Sequence, residues 1–322
     1  MSRLKLFSLD AGADFAGRVA AALGEPLARH EERCFADGEH KVRPLDDVEG
    51  ADVFLVQSLY RDHCSSVDEK LLRCLFFIGA LRDAGAARIT AVMPYLCYGR
   101  KDRRTKLHDP LPTRYLASLF EAVGTQVVVT LDAHNLAAFE NAFRCRTLHL
   151  LSESLLLEFA LSQLLAEPRP LSVLSPDEGG IKRAEALREA LSERLGRPVG
   201  CAFVEKYRSG EKISGGTLVG EVQGAVVLVV DDLIASGATL CRAVEAAHGG
   251  GAQRILALAS HGQFSGDAFS NLSQLPLEAV AVTNSLPQLN LPQSFHLLDC
   301  APLMAEAIRR LHDCGPVSEL TL

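Results

Sequence analysis

The sequence predicts an α/β protein of two similar domains, each a mostly parallel sheet flanked by helices. Short β-branched runs alternate with helical patterns along the whole chain, the signature of parallel strands joined by crossover helices. The strand-like runs are too numerous for one sheet of ordinary size. An internal echo supports two domains: Gly85-Ala86-Ala87-Arg88-Ile89 and Gly251-Ala252-Gln253-Arg254-Ile255 each close a helical pattern and open an apolar strand.

Strands are predicted at Leu4–Leu9, Val53–Gln57, Arg88–Met93, Val127–Leu131, Ser172–Ser175, Cys201–Val204, Ala225–Val230, Arg254–Ser260 and Ala279–Thr283. Helical periodicity marks Asp14–Leu23, Asp68–Ala84, Thr113–Val123, Glu153–Leu165, Ile181–Leu195, about Leu240–His248 and Ala301–Leu311. The first domain is assigned to residues 1–150 and the second to 151–300, split before the helix start at Ser152-Glu153. A tail of about 301–322 is available to pack on the first domain.

Bulk properties narrow the function classes. With 322 residues, 48% hydrophobic and 23% charged, the chain has ample core for an ordinary globular protein. A net charge of −7 argues against a general nucleic-acid surface. Nine cysteines without a CxxC pair read as reduced thiols rather than a disulfide frame or a zinc site. No apolar run is long enough to span a bilayer and no signal peptide is evident, so no membrane is expected and the cytoplasm is the expected compartment.

Chemistry concentrates where predicted strands end. Val226-Val227-Leu228-Val229-Val230 suits a strand buried on both faces, and Asp231-Asp232 follow at its carboxyl end. Ala235-Ser236-Gly237-Ala238-Thr239 then forms a small-residue turn into a helix, whose N–H groups can cradle a phosphate. Two carboxylates repel phosphate, so they are expected to face sugar hydroxyls or a cation. A ribose 5-phosphate moiety fits both halves. After Ser172–Ser175, Asp177 precedes Gly179-Gly180, which let backbone approach an anion, with Lys182 and Arg183 behind. In the first half, Arg100, Lys101, Arg103 and Arg104 follow one strand, and Asp132 and His134 follow the next. Cys34-Phe35-Ala36-Asp37-Gly38-Glu39 reads as a turn carrying an exposed aromatic. Each motif alone also fits an ordinary βα turn or a solvated charged face. The ordered set carries more.

In order, these motifs resemble the ribose-phosphate pyrophosphokinases, and the resemblance spans essentially the whole chain, to Val282-Thr283-Asn284-Ser285 and Val317-Ser318-Glu319-Leu320. It implies two phosphoribosyltransferase type I domains and transfer of the β,γ-diphosphoryl group of ATP to the 1-hydroxyl of ribose 5-phosphate, with Mg²⁺. By that resemblance Phe35, Asp37 and Glu39 would hold adenine from a neighbouring subunit, in a homodimer or a hexamer built from dimers. Arg100, Lys101, Asp132 and His134 would serve ATP, with His134 and Asp177 toward Mg²⁺. The loop Asp177, Gly179, Gly180, Arg183 would take pyrophosphate. Asp231 and Asp232 would take the ribose hydroxyls, and Ser236, Gly237, Ala238 and Thr239 the 5-phosphate. Lys206 and Arg208 match the family's mobile catalytic segment, with Glu211, Lys212, Ser214, Gly215 and Gly216 read as flexible loop.

Four residues at three places depart from the usual family pattern: Ala235 replaces a third acid, Lys101 a Gln, and Leu107-His108 a Ser-Arg linked to allosteric anion binding. Ala235 is similar to the archaeal and divergent branches. These changes bear on regulation more than on catalysis. Two alternatives stand beside this reading. A phosphoribosyltransferase needs one such domain plus a hood and has no use for the Arg100–Arg104 cluster. A silent, synthetase-associated regulatory subunit has no need of Lys206, Arg208, His134 and Asp177.

Overall fold

The computed structural model describes residues 3–209, 212–288 and 290–320; the side chains of 206–216 lie outside the description. The elements in chain order begin with β1 (Leu4–Phe7), α1 (Ala13–Leu23), β2 (His30–Cys34), β3 (His40–Pro44), β4 (Asp52–Val56) and α2 (Val67–Asp83). Next come β5 (Arg88–Met93), α3 (Pro112–Val123), β6 (Val127–Leu131), α4 (Leu136–Ala142) and β7 (Arg146–Leu150). The second run holds α5 (Glu153–Leu164), β8 (Leu171–Ser175), α6 (Ile181–Leu195), β9 (Gly200–Ser209), β10 (Lys212–Val219) and β11 (Val226–Ile234). It continues through α7 (Ala238–Gly249), β12 (Arg254–Gly262), α8 (Ala268–Ser273), β13 (Ala279–Thr283) and β14 (Phe295–Leu298), and the chain then forms α9 (Ala301–His312). Two compact units result: residues 1–151 with 300–322, and residues 152–299.

In unit 1 the sheet order is β1-β4-β5-β6-β7, all parallel. The hairpin β2–β3 is separate and antiparallel. α9 returns to this unit, where Met304, Ala305, Ala307, Ile308 and Leu311 are buried. Its end is fastened by Asp52, a buried carboxylate at the start of β4. Arg88 Nε and Nη2 donate to Asp52 at 2.7 and 2.5 Å, Arg88 Nη2 also donates to Leu311 O, and His312 Nδ1 lies 2.8 Å from Asp52 Oδ2. Removing one member of a buried ion pair leaves its partner uncompensated and costs about 3–5 kcal/mol. Asp52→Ala is therefore expected to destabilise unit 1 by about 3 kcal/mol, read as a lower denaturation midpoint in urea.

Unit 2 has the sheet β10-β9-β8-β11-β12-β13-β14, parallel apart from β10. The aliphatic run of β11 shows why it lies at the centre. Val226, Leu228 and Val230 face one apolar layer with Leu156, Leu161 and Leu187 of α5 and α6. Val227 and Val229 face the other, with Leu240, Val244 and Leu272 of α7 and α8. Strand alternation thus loads both faces of the sheet.

The sequence echo is an echo of geometry. Gly85 and Gly251 both adopt left-handed φ, 86° and 89°. Gly50 N donates to Gly85 O and Gly224 N to Gly251 O, each at 2.9 Å. Arg88 then pairs in register with Asp52, and Arg254 with Val226. On the other side Leu55 pairs with Phe7, and Val229 with Leu174. β1, β4 and β5 therefore correspond to β8, β11 and β12.

Several elements differ from the sequence reading. The segment 212–219 is a strand, not an open loop: it pairs with β9 and takes up the Ser214-Gly215 stretch as a register shift between Ile213 and Gly216. β11 continues through Asp231 and Asp232 to Ile234, because β12 extends beside it as far as Gly262. β2, β3, β7, β14, α4 and α8 were not anticipated. Among the described residues no helix is long and apolar enough to cross a membrane, and all nine cysteines are free.

Candidate active site

In unit 2 the pairing of β8 with β11 ends at Leu174 and Val229, whereas β11 and β12 run on. The sheet is stepped there, on its carboxyl side, where α/β proteins seat ligands. Asp231 and Asp232 stand at that step on β11, and Asp232 is buried. Burial, then the neighbouring Asp232 charge, raises Asp231 above the ordinary carboxylate range, and the two acids titrate as a pair. Arg183 opposes that shift. Its Nη1 lies 3.8 Å from Asp231 Oδ1 and 3.8 Å from Asp232 Oδ1, so it bridges the acids from α6.

Beyond β11 the chain turns through Ser236 into Gly237, whose φ of 78° is a left-handed conformation suited to glycine. Gly237 is the N-cap of α7 and no side chain caps that helix. The first-turn amides are left for an outside acceptor, as the positive end of the helix dipole favours an anion. Thr239 Oγ1 accepts from Arg242 Nη2 at 3.3 Å, which aims its hydroxyl. The corresponding helix of unit 1 behaves differently. At the start of α2, Ser66 and Glu69 form a reciprocal capping box, Ser66 Oγ accepting from Glu69 N at 3.2 Å and Glu69 Oε2 from Ser66 N at 2.6 Å. One copy of the motif is sealed by its own side chains; the other is open.

Asp177 follows β8. Its Oδ1 accepts from Gly179 N at 3.0 Å and Gly180 N at 3.2 Å, so these amides are turned onto the carboxylate rather than outward. Ser175 Oγ donates to Asp177 O at 2.6 Å. A Cβ on Gly180 would stand 2.6 Å from Ser175 Oγ, which explains glycine there. Lys206 and Arg208 belong to β9; their side chains lie outside the described residues.

In unit 1 the loops after β5 and β6 are tied together. Leu131 N donates to Pro94 O at 3.2 Å and Asn135 Nδ2 to Asp102 Oδ2 at 2.6 Å, while Asn135 Oδ1 caps α4. This brings the Arg100–Arg104 segment beside Asp132 and His134. Asp132 is buried and holds a φ of 39°, a strained conformation for an Asp. His134 is exposed. Arg100, Arg103 and Arg104 are exposed and make no ion pair among the described residues, whereas Lys101 is engaged. Its Nζ donates to Asp109 Oδ2 at 2.6 Å, and the same oxygen accepts from Thr105 and Lys106 amides, each at 2.9 Å. Asp109 is held well below the ordinary carboxylate range by Lys101 first, then by those donors. Asp102, Asp109, Asn135 and Ser175 were missed by sequence reasoning. The helix-capping position of Asn135, directly after His134, was the available signal.

Phe35, Asp37 and Glu39 occupy the exposed tip of the β2–β3 hairpin. Phe35 N donates to Glu39 O at 2.8 Å, Asp37 Oδ1 accepts from Glu39 N at 3.0 Å, and Gly38 supplies a φ of 91°. The turn is thus closed by its own bonds and presents the ring outward.

Comparison with known proteins agrees over the full length. Residues 4–124 match the N-terminal domain of ribose phosphate pyrophosphokinase, and residues 203–321 the phosphoribosyl synthetase-associated domain. The chain is 34% identical over 320 residues to a ribose-phosphate pyrophosphokinase of Clostridium perfringens, covering 98% of this chain and 97% of that protein. It is 35% identical over 323 residues to the one from Caldanaerobacter subterraneus subsp. tengcongensis, again 98% and 97%. The crystal structure of phosphoribosylpyrophosphate synthetase from Mycobacterium smegmatis superposes with a TM-score of 0.88 at 30% identity, over 98% of this chain and 100% of that one.

Proposed function

This chain belongs to the ribose-phosphate pyrophosphokinase family, and from that premise we propose that it makes phosphoribosyl pyrophosphate. The β,γ-diphosphoryl group of ATP passes to the 1-hydroxyl of ribose 5-phosphate, and AMP leaves. The observation that carries this reading is the pairing of two buried-edge carboxylates with an uncapped helix start, Asp231-Asp232 beside α7. Diol and phosphate of one pentose phosphate answer both.

The residues divide the work by charge. The amides at the start of α7 and the hydroxyls of Ser236 and Thr239 receive the 5-phosphate. Asp231 and Asp232 accept hydrogen bonds from the ribose hydroxyls and orient the ring. Arg183 receives pyrophosphate, its departure from the acids accompanying ligand entry, and the glycine turn before α6 must release Asp177 to join it. Arg100 contacts ATP phosphates, with Asp132 and His134 beside it. Lys101 is held by Asp109 and must exchange that partner to reach ATP. Transfer of this kind depends on in-line positioning and on neutralising charge that spreads over the phosphoryl oxygens. Lys206 and Arg208 supply that neutralisation in the transition state.

Mg²⁺ fits the donors present. The Asp177 carboxylate is a hard oxygen donor at a strand end, and Mg²⁺ characteristically takes one or two carboxylates plus substrate phosphates. Asp177 in unit 2 and, separately, His134 in unit 1 would each serve as a Mg²⁺ ligand, and the ion when bound would screen the phosphate oxygens. Phe35 at the hairpin tip, with Asp37 and Glu39, serves the adenine of a neighbouring copy in a homodimer or larger assembly. The nine free thiols suit a reducing compartment, the cytoplasm.

Incubation with ATP, Mg²⁺ and ribose 5-phosphate is expected to give AMP and phosphoribosyl pyrophosphate one for one. ADP would instead mark an ordinary kinase, and no turnover without a second protein would mark a regulatory subunit. Within this scheme Thr239→Ala is expected to weaken ribose 5-phosphate binding by about 1.5–3 kcal/mol, the worth of a hydrogen bond to a charged group. ATP affinity should stay nearly unchanged. Ala235→Asp should bring no gain, since it sets a negative charge beside the phosphate. Separate calorimetric titrations of the two ligands check both.

A further inference from the structure

We propose that Asp10, His30 and Glu32 form a divalent transition-metal site at the base of the β2–β3 hairpin. His30 Nε2 lies 3.3 Å from Asp10 Oδ1 and 3.2 Å from Glu32 Oε1. One donor atom from each residue falls within 4.8 Å of the others. Bonds of about 2.0–2.1 Å to a tetrahedral Zn²⁺ place its donors about 3.3–3.4 Å apart, which matches the two separations from the imidazole.

The surroundings suit a held ion. The His30 and Glu32 side chains are only 14% and 11% exposed, while Asp10 is 79% exposed and gives access from solvent. His30 packs against Phe77, ring centroids 5.8 Å apart, which fixes the imidazole plane. The second oxygen of Glu32 lies 3.8 Å from Arg73 Nη1, and Asp10 N donates to Glu32 Oε1 at 2.6 Å. These contacts orient the carboxylate before any ion arrives. One imidazole and two carboxylates select a borderline ion such as Zn²⁺ over Mg²⁺, which prefers oxygen alone.

The duplication supplies an independent reason. Phe7 corresponds to Leu174 by strand register, so Ser8 corresponds to Ser175 and Asp10 to Asp177. Leu6 bridges Leu27 where Val173 pairs with Cys201, and counting on places Glu32 at the position of Lys206. Unit 1 thus repeats the strand-end acid of unit 2, and carries Glu32 at the chain position that Lys206 holds there. Only the comparison with Asp177 rests on the function proposed above; the donor geometry does not.

The test is Zn²⁺ binding to the full-length protein by competition with a chromophoric chelator, with Mn²⁺ and Mg²⁺ in parallel. One Zn²⁺ per chain is expected, weakened at least tenfold in His30→Gln and in Glu32→Gln. It should persist in Asp177→Asn and in a protein carrying Cys34→Ser, Cys64→Ser and Cys314→Ser. Millimolar Mg²⁺ should not displace it. Should a variant fail to fold by circular dichroism, Co²⁺ loaded into the unaltered protein decides. Visible d–d bands without thiolate charge transfer support nitrogen and oxygen donors. No Zn²⁺ binding, retention in both folded variants, loss with the cysteines, or a thiolate band overturns the site. None of these readouts uses catalysis, so a failed AMP assay would leave them separately interpretable.

Discussion

Asp232→Asn and Asp231→Asn are each expected to lower kcat/KM for ribose 5-phosphate by about 10²–10³ while making the free protein more heat-stable near pH 8. The loss follows from removing an ionised acceptor that the ribose hydroxyls need, at a largely buried strand end where such bonds count most. The gain follows from the raised titration of Asp231. Burial, then repulsion from Asp232, keeps a proton on Asp231 above the ordinary carboxylate range. Between the ordinary value and the raised one, the folded state binds more protons than the unfolded state. Unfolding free energy therefore falls as pH rises through that window. An amide has nothing to ionise, so the variant escapes the penalty at pH 8 and gains nothing at pH 4. A rise of roughly 2–6 °C is expected, the shift that about 1–2 kcal/mol gives in a unit of this size. Arg183→Gln should act oppositely, because it removes the cation bridging both acids. Scanning calorimetry at the two pH values, beside initial rates, checks the pair of effects; a variant that loses activity without gaining stability would break the link.

Lys206→Ala and Arg208→Ala are expected to lower kcat by about 10² or more while changing the KM for ATP little. The two cations occupy alternate positions on β9. Charge aimed at the transferring diphosphoryl group acts where negative charge spreads during reaction, which is the transition state rather than the bound ground state. Interactions of that kind appear in kcat. Steady-state kinetics at saturating ribose 5-phosphate read the split, and an unchanged kcat with a raised KM would assign both residues to ground-state binding. Arg208→Lys should recover part of the loss, since it keeps charge but not the planar fork.

The interior of this fold was legible because burial on two faces leaves a strong imprint. β4, β5, β6, β11, β12 and β13 are short aliphatic runs, and their positions follow from that alone. The hairpin was not legible, since His30-Glu31-Glu32-Arg33-Cys34 and His40-Lys41-Val42-Arg43-Pro44 hide a strand period in mostly polar residues. β7 and β14 were missed as short edge strands, Arg146-Thr147-Leu148-His149-Leu150 and Phe295-His296-Leu297-Leu298, with half-apolar patterns. The candidate site was legible at the acids and the small-residue turn, where chemistry demands particular side chains. Arg183 across Asp231 and Asp232, Lys101 in the grip of Asp109, and Asn135 on Asp102 are long-range or loop-specific pairings. Spacing along the chain does not encode them.

α9 has a consequence for how the molecule is made. Met304, Ile308 and Leu311 complete the interior of unit 1, Arg309 Nη2 donates to Ala22 O at 3.3 Å, and Leu311 O receives Arg88. A ribosome reaches these residues only after the whole of 152–299 has been translated. At about 5–20 residues per second that delay is roughly 7–30 s. Throughout it the nascent first unit carries an uncovered apolar face and a buried-site carboxylate, Asp52, without its histidine. The second unit, contiguous from 152 to 299, meets no such delay between its own parts. The earliest-synthesised part of the chain therefore waits longest for its finished state, and that interval is when it most needs protection by chaperones.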